Sequence, residues 1–567
     1  MGYHAQMFKG IAKFLGACAL FSTPLFAHLD SFLADAAPTA ARTSSDVYLG
    51  GHCLAAEMVA GLVRGVKYWG DADRARAQEK LRGVIQRVMA TPETESIGIW
   101  TAALKFSVHE RHPQRVAWLT TLLLEGALPA EVEAVQSWLP ICKRLMLLKP
   151  LVRELGWRSP ALCKQLARDL LPHLAHPYAQ MRECIGGLLA ALSRAVWEPM
   201  RSPDRPTGAG EARDGGSGGG LGFVWSDAEA NGDAERADGA CEIMLTLVGE
   251  FSRRGTELAQ RCKVAKERAA GEGDEEEEKR DRDELKHLRH TLIAWVCKVC
   301  PDYDGTYVSP CAPVLPVLLP LLLEAIEDSD QDIARQARAC VELVANTPNL
   351  TRVLPAILVA LRGVAASHSY QVRSSVLPFL QVLVFRHQCT AGAREMEAVQ
   401  ALVVELLRDP HVQVRDAAGA AMSVLVRMRG DELAGALQPT FLGWCSEVLP
   451  PRGKRSSLGS DSPIVPARGG AKEDGGTPAL HTRHAGVLGL AALVGAYPYD
   501  VPPWMPEVLV QLAGHVLDPN PISQTVRATF GEFWRTHQDA WPVLKAQFSE
   551  QQLAMLTNLL AAPTYFS

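Results

Sequence analysis

The chain is predicted to be all-α, a solenoid of stacked antiparallel helix pairs, on three observations. Apolar residues recur at i, i+3, i+4 and i+7 through nearly every stretch, as one buried face of a helix requires. Pro or Gly breaks these runs every dozen or two residues, and no convincing period-2 run marks a strand. One short pattern also returns at a spacing of about 40 residues, so the same helix pair is used repeatedly. A single helix pair cannot bury its own apolar face; stacking pairs side by side takes that face out of water.

At 567 residues the chain exceeds one ordinary core, so it is several domains or one extended array. It is 47% hydrophobic and 21% charged, a globular composition. A net charge of -5 argues against direct nucleic-acid binding by the molecule as a whole and leaves only local patches for polyanions. The 13 cysteines, an odd number, sit inside helical patterns, Cys163 with Leu162 and Leu166, Cys340 with Val341 and Leu343. That usage suits buried thiols in a reducing compartment rather than a disulfide framework.

Near the start, Lys9 and Lys13 lead into an apolar run at 14–21, with Leu25-Phe26-Ala27 after it. A secretory signal has this form. The thiol usage favours the other reading, a buried helix pair broken at Pro24. No uninterrupted apolar run reaches membrane-spanning length, and no membrane partner is expected. From Cys53 onward helix follows helix. Leu54, Met58, Leu62 and Tyr68-Trp69 share one apolar face, with Arg64 and Lys67 beside it. Similar patterns follow at 81–89, 100–106, 116–124, 132–148 and 162–171, and a last amphipathic helix is expected over 550–561.

The repeat is clearest at Asp409-Pro410-His411-Val412-Gln413-Val414-Arg415, followed by an apolar helix to Val426. It recurs as His176-Pro177-Tyr178-Ala179-Gln180-Met181-Arg182 and as Ser369-Tyr370-Gln371-Val372-Arg373. Looser copies stand at Asp330 to Arg335 and at Asp518-Pro519 with Val526-Arg527. The arginines at 335, 373 and 415 are 38 and 42 residues apart, close to the period of HEAT and armadillo repeats. The Asp-Pro is expected to start the second helix of each pair, with Asp as cap and Pro where no amide donor is needed. The apolar residue before each Arg should enter the core. The Arg should reach the acidic turn of the neighbouring repeat.

Three segments interrupt the array and divide it. Helical repeats occupy 1–204, and a Gly-rich flexible loop follows at 205–241; its glycines cradle no phosphate, because no Lys-Ser/Thr follows and no strand precedes. Repeats resume over 242–449, with an acidic run at about 270–283 expected to be a solvated loop or frayed helix. A Gly/Ser/Pro-rich loop at 450–480 carries Arg452, Lys454 and Arg455, a cluster that reads either as a nuclear import signal or as plain solvated linker. Repeats close the chain over 481–567.

Catalytic signatures are missing. There is no nucleophile elbow, no P-loop and no pair of carboxylates in a recognisable setting, so the chain is not expected to be an enzyme. Cys297-Lys298-Val299-Cys300 follows His287 and His290, which makes a four-ligand zinc set conceivable. The helical pattern over 285–299 instead puts both thiols on an apolar face with Ile293 and Val296, and no metal is expected. His109-Glu110-Arg111-His112 spaces its histidines three apart, not the four of a metalloprotease helix.

The end of the chain is Pro563-Thr564-Tyr565-Phe566-Ser567. Two rings before a free carboxylate either fold back on the last helix or enter a partner's pocket that also takes the charge. Here the sequence resembles a known family. Arg483-His484-Ala485-Gly486-Val487-Leu488-Gly489-Leu490, Tyr499 to Pro506, Asp518 to Ile522, Trp534 to Trp541 and the final Tyr565-Phe566-Ser567 are similar to the C-terminal region of the large HEAT-repeat proteasome activator family, that of proteasome activator subunit 4. Weaker similarity runs back through 406–426 and 55–65, most of the chain, and places it as the C-terminal portion of a longer family chain.

The resemblance implies an ATP-independent cap on the 20S proteasome core, working in nucleus and cytoplasm, DNA repair included. The tail would enter a pocket between two core α subunits, with Tyr565 in the family's hydrophobic position, Phe566 in its tyrosine position and Ser567 supplying the carboxylate. Phe566 keeps the ring but lacks the hydroxyl, and one such hydrogen bond is worth about 1 kcal/mol. The family also implies inositol phosphate as a ligand of basic openings, for which Arg64 and Lys67 are the candidate contacts. It implies acetylated histones as partners, although the Asn-Phe pair of that reading falls at Met428-Arg429-Gly430, where neither residue stands. A generic HEAT scaffold or nuclear transport adaptor is the alternative.

Overall fold

The computed structural model of the chain describes residues 3–35, 45–91, 94–126, 128, 137–197, 241–267, 275–300, 311–348, 350–449 and 477–560. All regular structure among them is helical. Two compact units divide at Leu343 and Val344. The first holds α1 (Tyr3–Leu15), α2 (Ala19–Asp35), α3 (Ser45–Gly65), α4 (Asp71–Ala90), α5 (Ile97–Val108), α6 (Ala117–Leu124), α7 (Leu139–Leu155), α8 (Pro160–Leu170), α9 (Ala179–Trp197), α10 (Cys241–Glu267), α11 (Glu275–Val299) and α12 (Leu315–Glu324). Helix α13 (Gln331–Ala345) runs across the division. The second holds α14 (Leu354–Ala365), α15 (Tyr370–His387), α16 (Ala393–Leu406), α17 (Val412–Arg429), α18 (Asp431–Cys445), α19 (Pro478–Gly495), α20 (Met505–Ala513), α21 (Ile522–His537), the single turn α22 (Trp541–Leu544) and α23 (Glu550–Leu560).

Within each unit the helices form two layers. In the first, α1, α3, α5, α7, α9 and α11 pack in succession, each on the next. In the second, α15, α17, α19 and α21 do the same. The even-numbered helices pack across onto these, α6 on α7, α8 on α9, α16 on α17, α18 on α19. This is the HEAT-type α-solenoid that the period predicts. The core is the seam between layers: in α17, Val414, Ala418, Ala421, Met422 and Leu425 are buried, at helical spacing. Pro140, Pro160, Pro316, Pro355, Pro478 and Pro506 each stand in the first turn of a helix, where no amide donor is lost.

The recurring arginine has one job in three repeats. Arg182 Nη1 donates to the carbonyls of His176 and Pro177, both at 2.7 Å. Arg373 Nη1 donates to Ser367 and His368 at 2.9 and 3.0 Å, and Arg415 Nη1 to Asp409 and Pro410 at 2.7 and 2.9 Å. Each closes the turn that precedes its own helix, on carbonyls that would otherwise be buried without donors. Arg373 also reaches forward: Nε and Nη2 hold Asp409 of the next repeat at 2.6 and 2.9 Å, a bidentate pair with little exposure. Arg289 to Asp328 at 2.8 Å and Arg483 to Asp518 at 2.9 Å make the same link elsewhere. The residues before the motif arginines, Met181, Val372 and Val414, are buried as expected.

Five expectations need correction. Asp409-Pro410 does not begin the helix: α17 starts at Val412, Asp409 Oδ1 accepts the His411 amide at 2.8 Å, and the Pro410 carbonyl is taken by Arg415. Of the two forms expected for the acidic run, the loop does not hold from Glu275 on. Glu275 to Glu278 form the first turn of α11, where carboxylates meet the positive end of the helix dipole. Pro24 lies inside α2; the break falls at Gly16, whose φ of 63° suits only a residue without a side chain. The pair is also only partly buried, for Phe14 and Leu20 are each 88% exposed. The helix expected at 132–148 is α7, displaced to 139–155, with 129–136 outside the described residues. Arg335 is exposed and meets only Asp332 of its own turn, at 2.7 Å.

Arg373→Ala should destabilise the second unit by about 3–5 kcal/mol, because Asp409 is left charged and buried. Arg335→Ala should leave stability nearly unchanged. Urea unfolding followed by circular dichroism checks both, and equal effects would contradict the inter-repeat role.

Candidate functional site

The end of the described chain is built to be rigid. Ser549 and Gln552 form a reciprocal cap: the Gln552 amide donates to Ser549 Oγ at 3.2 Å and the Ser549 amide to Gln552 Oε1 at 2.9 Å. Helix α23 follows, packs on α20 and α21, and buries Leu556 completely. A cluster of rings holds the approach to it. Trp541 lies 5.6 Å from Trp534, 6.2 Å from Phe533 and 5.4 Å from Phe548. Edge-to-face and tilted contacts of this kind favour one arrangement of the chain over others. Tyr565, Phe566 and Ser567 lie outside the described residues, and so do Arg452, Lys454 and Arg455.

The segments singled out in the last repeats each have a structural cause. Gly486 and Gly489 let α19 touch α18: a Cβ on Gly486 would stand 2.6 Å from the Cys445 nitrogen, and one on Gly489 2.5 Å from the Phe441 ring. His484 is fully buried. Its Nδ1 accepts from Arg415 Nε at 3.0 Å, and its Nε2 faces Thr525 Oγ1 at 2.9 Å, so it joins α17, α19 and α21. Tyr497 donates to Asp431 at 2.6 Å and Trp504 Nε1 to the same oxygen at 3.4 Å, pinning the α19–α20 connection to the start of α18. A groove of about 800 Å³ runs over α19 between α17 and α21, where α19 presents Ala491, Ala492 and Gly495.

Arg64 and Lys67 are brought together with other cations. Arg64 donates to the Phe106 carbonyl at 2.7 Å and lies 4.6 Å from the Phe106 ring. Lys67 and Lys13 stand 4.7 and 5.1 Å from the Tyr68 ring. Burial, then Arg64 and Arg111, lowers the Lys9 pKa; burial, then Arg64, lowers that of Arg111. Cations that depress one another in this way form a local positive potential on a chain of net negative charge. Gly61 and Gly65 make the cluster by letting α1 approach α3; a Cβ on Gly65 would stand 2.5 Å from Ala12 Cβ. The sequence reading missed Lys9, Lys13 and Arg111. Lys9 and Lys13 share one face of α1 by their spacing of four, a signal masked by their likeness to a leader segment.

The cysteine–histidine stretch does not converge. His290 Nε2 faces Glu183 at 3.8 Å, Cys297 is half-buried, and Cys300 is buried. Among the described residues no three His, Cys, Asp or Glu side chains are grouped to hold a metal ion. Met428 and Arg429 border a recess of about 250 Å³ with Gln388, Gly392 and Met396, which has neither Asn nor an aromatic ring.

Burial, and then the charge of Arg415, pushes the His484 pKa down to about 3. The unfolded chain therefore takes up this proton first as pH falls. The stabilisation from neutral His484 is complete above about pH 6.5 and is lost as pH drops from there toward 3. Urea midpoints at pH 7.5 and pH 5 should fall accordingly, and His484→Gln should flatten the dependence. An unchanged slope in that variant would contradict the assignment.

Residues 480–567 match the family model "Proteasome activator complex subunit 4-like, C-terminal", and residues 44–149 match "Proteasome activator complex subunit 4-like, HEAT repeat-like". Residues 300–422 match the EF3 N-terminal HEAT repeat. Proteasome activator complex subunit 4B of Danio rerio is 29% identical over 95% of this chain and 27% of its own length. The Homo sapiens proteasome activator complex subunit 4 is 28% identical over 99% of this chain and 27% of its own. Proteasome activator BLM10 of Saccharomyces cerevisiae is 33% identical over 14% of this chain and 4% of its own. The chain thus spans about a quarter of the length of the animal relatives it matches.

Proposed function

Because the chain belongs to the large HEAT-repeat proteasome activator family, that of proteasome activator complex subunit 4, we propose that it binds the 20S proteasome core as an ATP-independent regulator, through its C-terminal tail. The observation that carries this reading is the match over 480–567, which includes Tyr565, Phe566 and Ser567. The built end of the chain supports it. A capped helix held by α20, α21 and a ring cluster is a fixed base for a short tail, and fixing the base reduces the entropy lost on docking. In the proposed complex the rings of Tyr565 and Phe566 are buried between core α subunits and the Ser567 carboxylate pairs with a cation there. Phe566 buries its ring without offering a hydroxyl, so docking is retained and gate opening through this contact is weakened. Work in nucleus and cytoplasm, with Arg452, Lys454 and Arg455 as import signal, is part of the same proposal. Acetylated histones remain the least supported partner, since the recess at Met428 offers no Asn to hold an acetyl group.

Native gels of the protein mixed with 20S core particles should show a slower-moving complex. Deletion of Tyr565, Phe566 and Ser567 should weaken binding at least tenfold. Full binding without these residues would remove the tail as anchor, and recovery of nuclear transport factors without any proteasome α subunit would favour the scaffold reading.

The cluster of Lys9, Lys13, Arg64, Lys67 and Arg111 supports a second assignment, an inositol phosphate site. Several cations held near one another and partly buried are what a compact polyanion needs. Titration calorimetry with inositol hexakisphosphate should give binding that weakens with added salt. Lys67→Ala with Arg111→Ala should reduce affinity about tenfold or more, and an unchanged affinity would place the ligand elsewhere.

A further inference from the structure

The turn from α17 into α18 brings an acidic side chain against two rings. Gly430, with a φ of 70°, makes the reversal, and Asp431 follows it as the first residue of α18. Beside it runs the connection from α19 to α20. There Tyr497 and Trp504 stand with ring centroids 5.5 Å apart and ring planes at 76°. Asp431 is exposed and both aromatic residues are half-buried, so all three are reached from solvent. The corner is held from behind: the connection buries Val501, Pro502 and Met505, and Pro498, Pro502 and Pro503 stiffen it.

The Asp431 carboxylate is used on one side only. Its Oδ1 accepts from the Tyr497 hydroxyl at 2.6 Å and from Trp504 Nε1 at 3.4 Å. That oxygen has two lone pairs and meets two donors, while Oδ2 accepts no hydrogen bond from the described residues. No lysine, arginine or histidine among the described residues is paired with this carboxylate, and exposed Glu432 adds a second acidic group beside it. The nearby cation, Arg427, is engaged with the carbonyls of Gly495 and Ala496 at 2.9 and 3.4 Å. An acidic group with one open oxygen, next to two rings near a right angle, is a receptor for a cation, because ring faces attract positive charge.

The donor count narrows the cation. A guanidinium binds a carboxylate best through two parallel bonds to both oxygens, and Oδ1 is already taken. An unmodified ammonium brings three N–H groups and a tight hydration shell to a corner with one open acceptor. A quaternary ammonium has no N–H to give. A dimethylammonium has one N–H for one oxygen and two methyl groups for two rings. We propose that Asp431, Tyr497 and Trp504 form a recognition site for a dimethyl-lysine side chain of a partner peptide. The N–H donates to Asp431 Oδ2, and the methyl groups lie against the Tyr497 and Trp504 rings. Acetyl-lysine is neutral and leaves the carboxylate without a counter-charge, so this site is distinct from the acetylated-histone reading at Met428.

The test is saturation-transfer NMR on the intact chain, with Nα-acetyl-dimethyllysine amide as the probe. Saturation should reach the N-methyl protons, and titration should give binding about fivefold or more tighter than that of the unmodified-lysine and acetyl-lysine analogues. Asp431→Asn keeps the oxygen that Tyr497 and Trp504 hold and removes the charge. It should weaken the probe about fivefold or more while leaving the circular dichroism spectrum unchanged. In the unsubstituted protein, no transfer to the N-methyl protons, or equal affinity for the acetyl-lysine analogue, overturns the proposal whatever the variant does. Equal or tighter binding of the trimethyl-lysine analogue or of choline also contradicts it, since neither has an N–H for Oδ2. Unchanged affinity in folded Asp431→Asn would do the same.

Discussion

An arginine that closes its own turn and grips the next repeat is the interaction on which the array depends. Stacked helix pairs have large apolar faces, and burial alone does not fix their register, because apolar contact is not directional. Arg373 supplies direction. One nitrogen satisfies two carbonyls of the turn before its helix, and the other two meet Asp409 of the following repeat. Asp409 in turn shapes its own turn through the His411 amide, and Arg415 closes that turn and reaches His484 of α19. The links run from α15 through α17 to α19 as one chain of buried polar contacts. Each group is costly to bury alone and satisfied only when its neighbour is in place, which ties one repeat's packing to the next.

Much of this was legible in the sequence. The period of the arginines gives the repeat, and the apolar residue before each gives the buried position, as Met181, Val372 and Val414 bear out. The forward reach of the arginine to an acidic turn was also expected; Arg373 meets Asp409, whereas Arg182 bonds to its own turn and Arg415 goes on to His484. The helix starts were harder. Asp-Pro reads locally as a cap, but the same Asp is taken up by an arginine from the preceding repeat, a contact that only stacking creates. The acidic run at 275–278 is largely exposed, as its composition suggests, and the dipole of α11 stabilises it as a first turn. At Asp409 the local reading gave way to a partner distant in sequence, and at Glu275 to the dipole of the helix that the run begins.

The candidate sites divide by the same logic. Arg64 and Lys67 stand out on one helix face, but the basic cluster exists because Gly61 and Gly65 admit α1, which carries Lys9 and Lys13. The tail signature is short and rests on the family likeness, while the rigid base beneath it, with its reciprocal cap and ring cluster, follows from the coordinates. A solenoid suits the proposed division of labour, in which the repeats serve as the base and the tail as the contact.

The most direct measurement replaces Phe566 with photoreactive benzoylphenylalanine, mixes the protein with 20S core particles and maps the crosslinks after irradiation. Crosslinks into proteasome α subunits are predicted. Crosslinks confined to α20, α21 and α23 of the same chain would mean that the rings pack on their own last repeat, and would contradict the account.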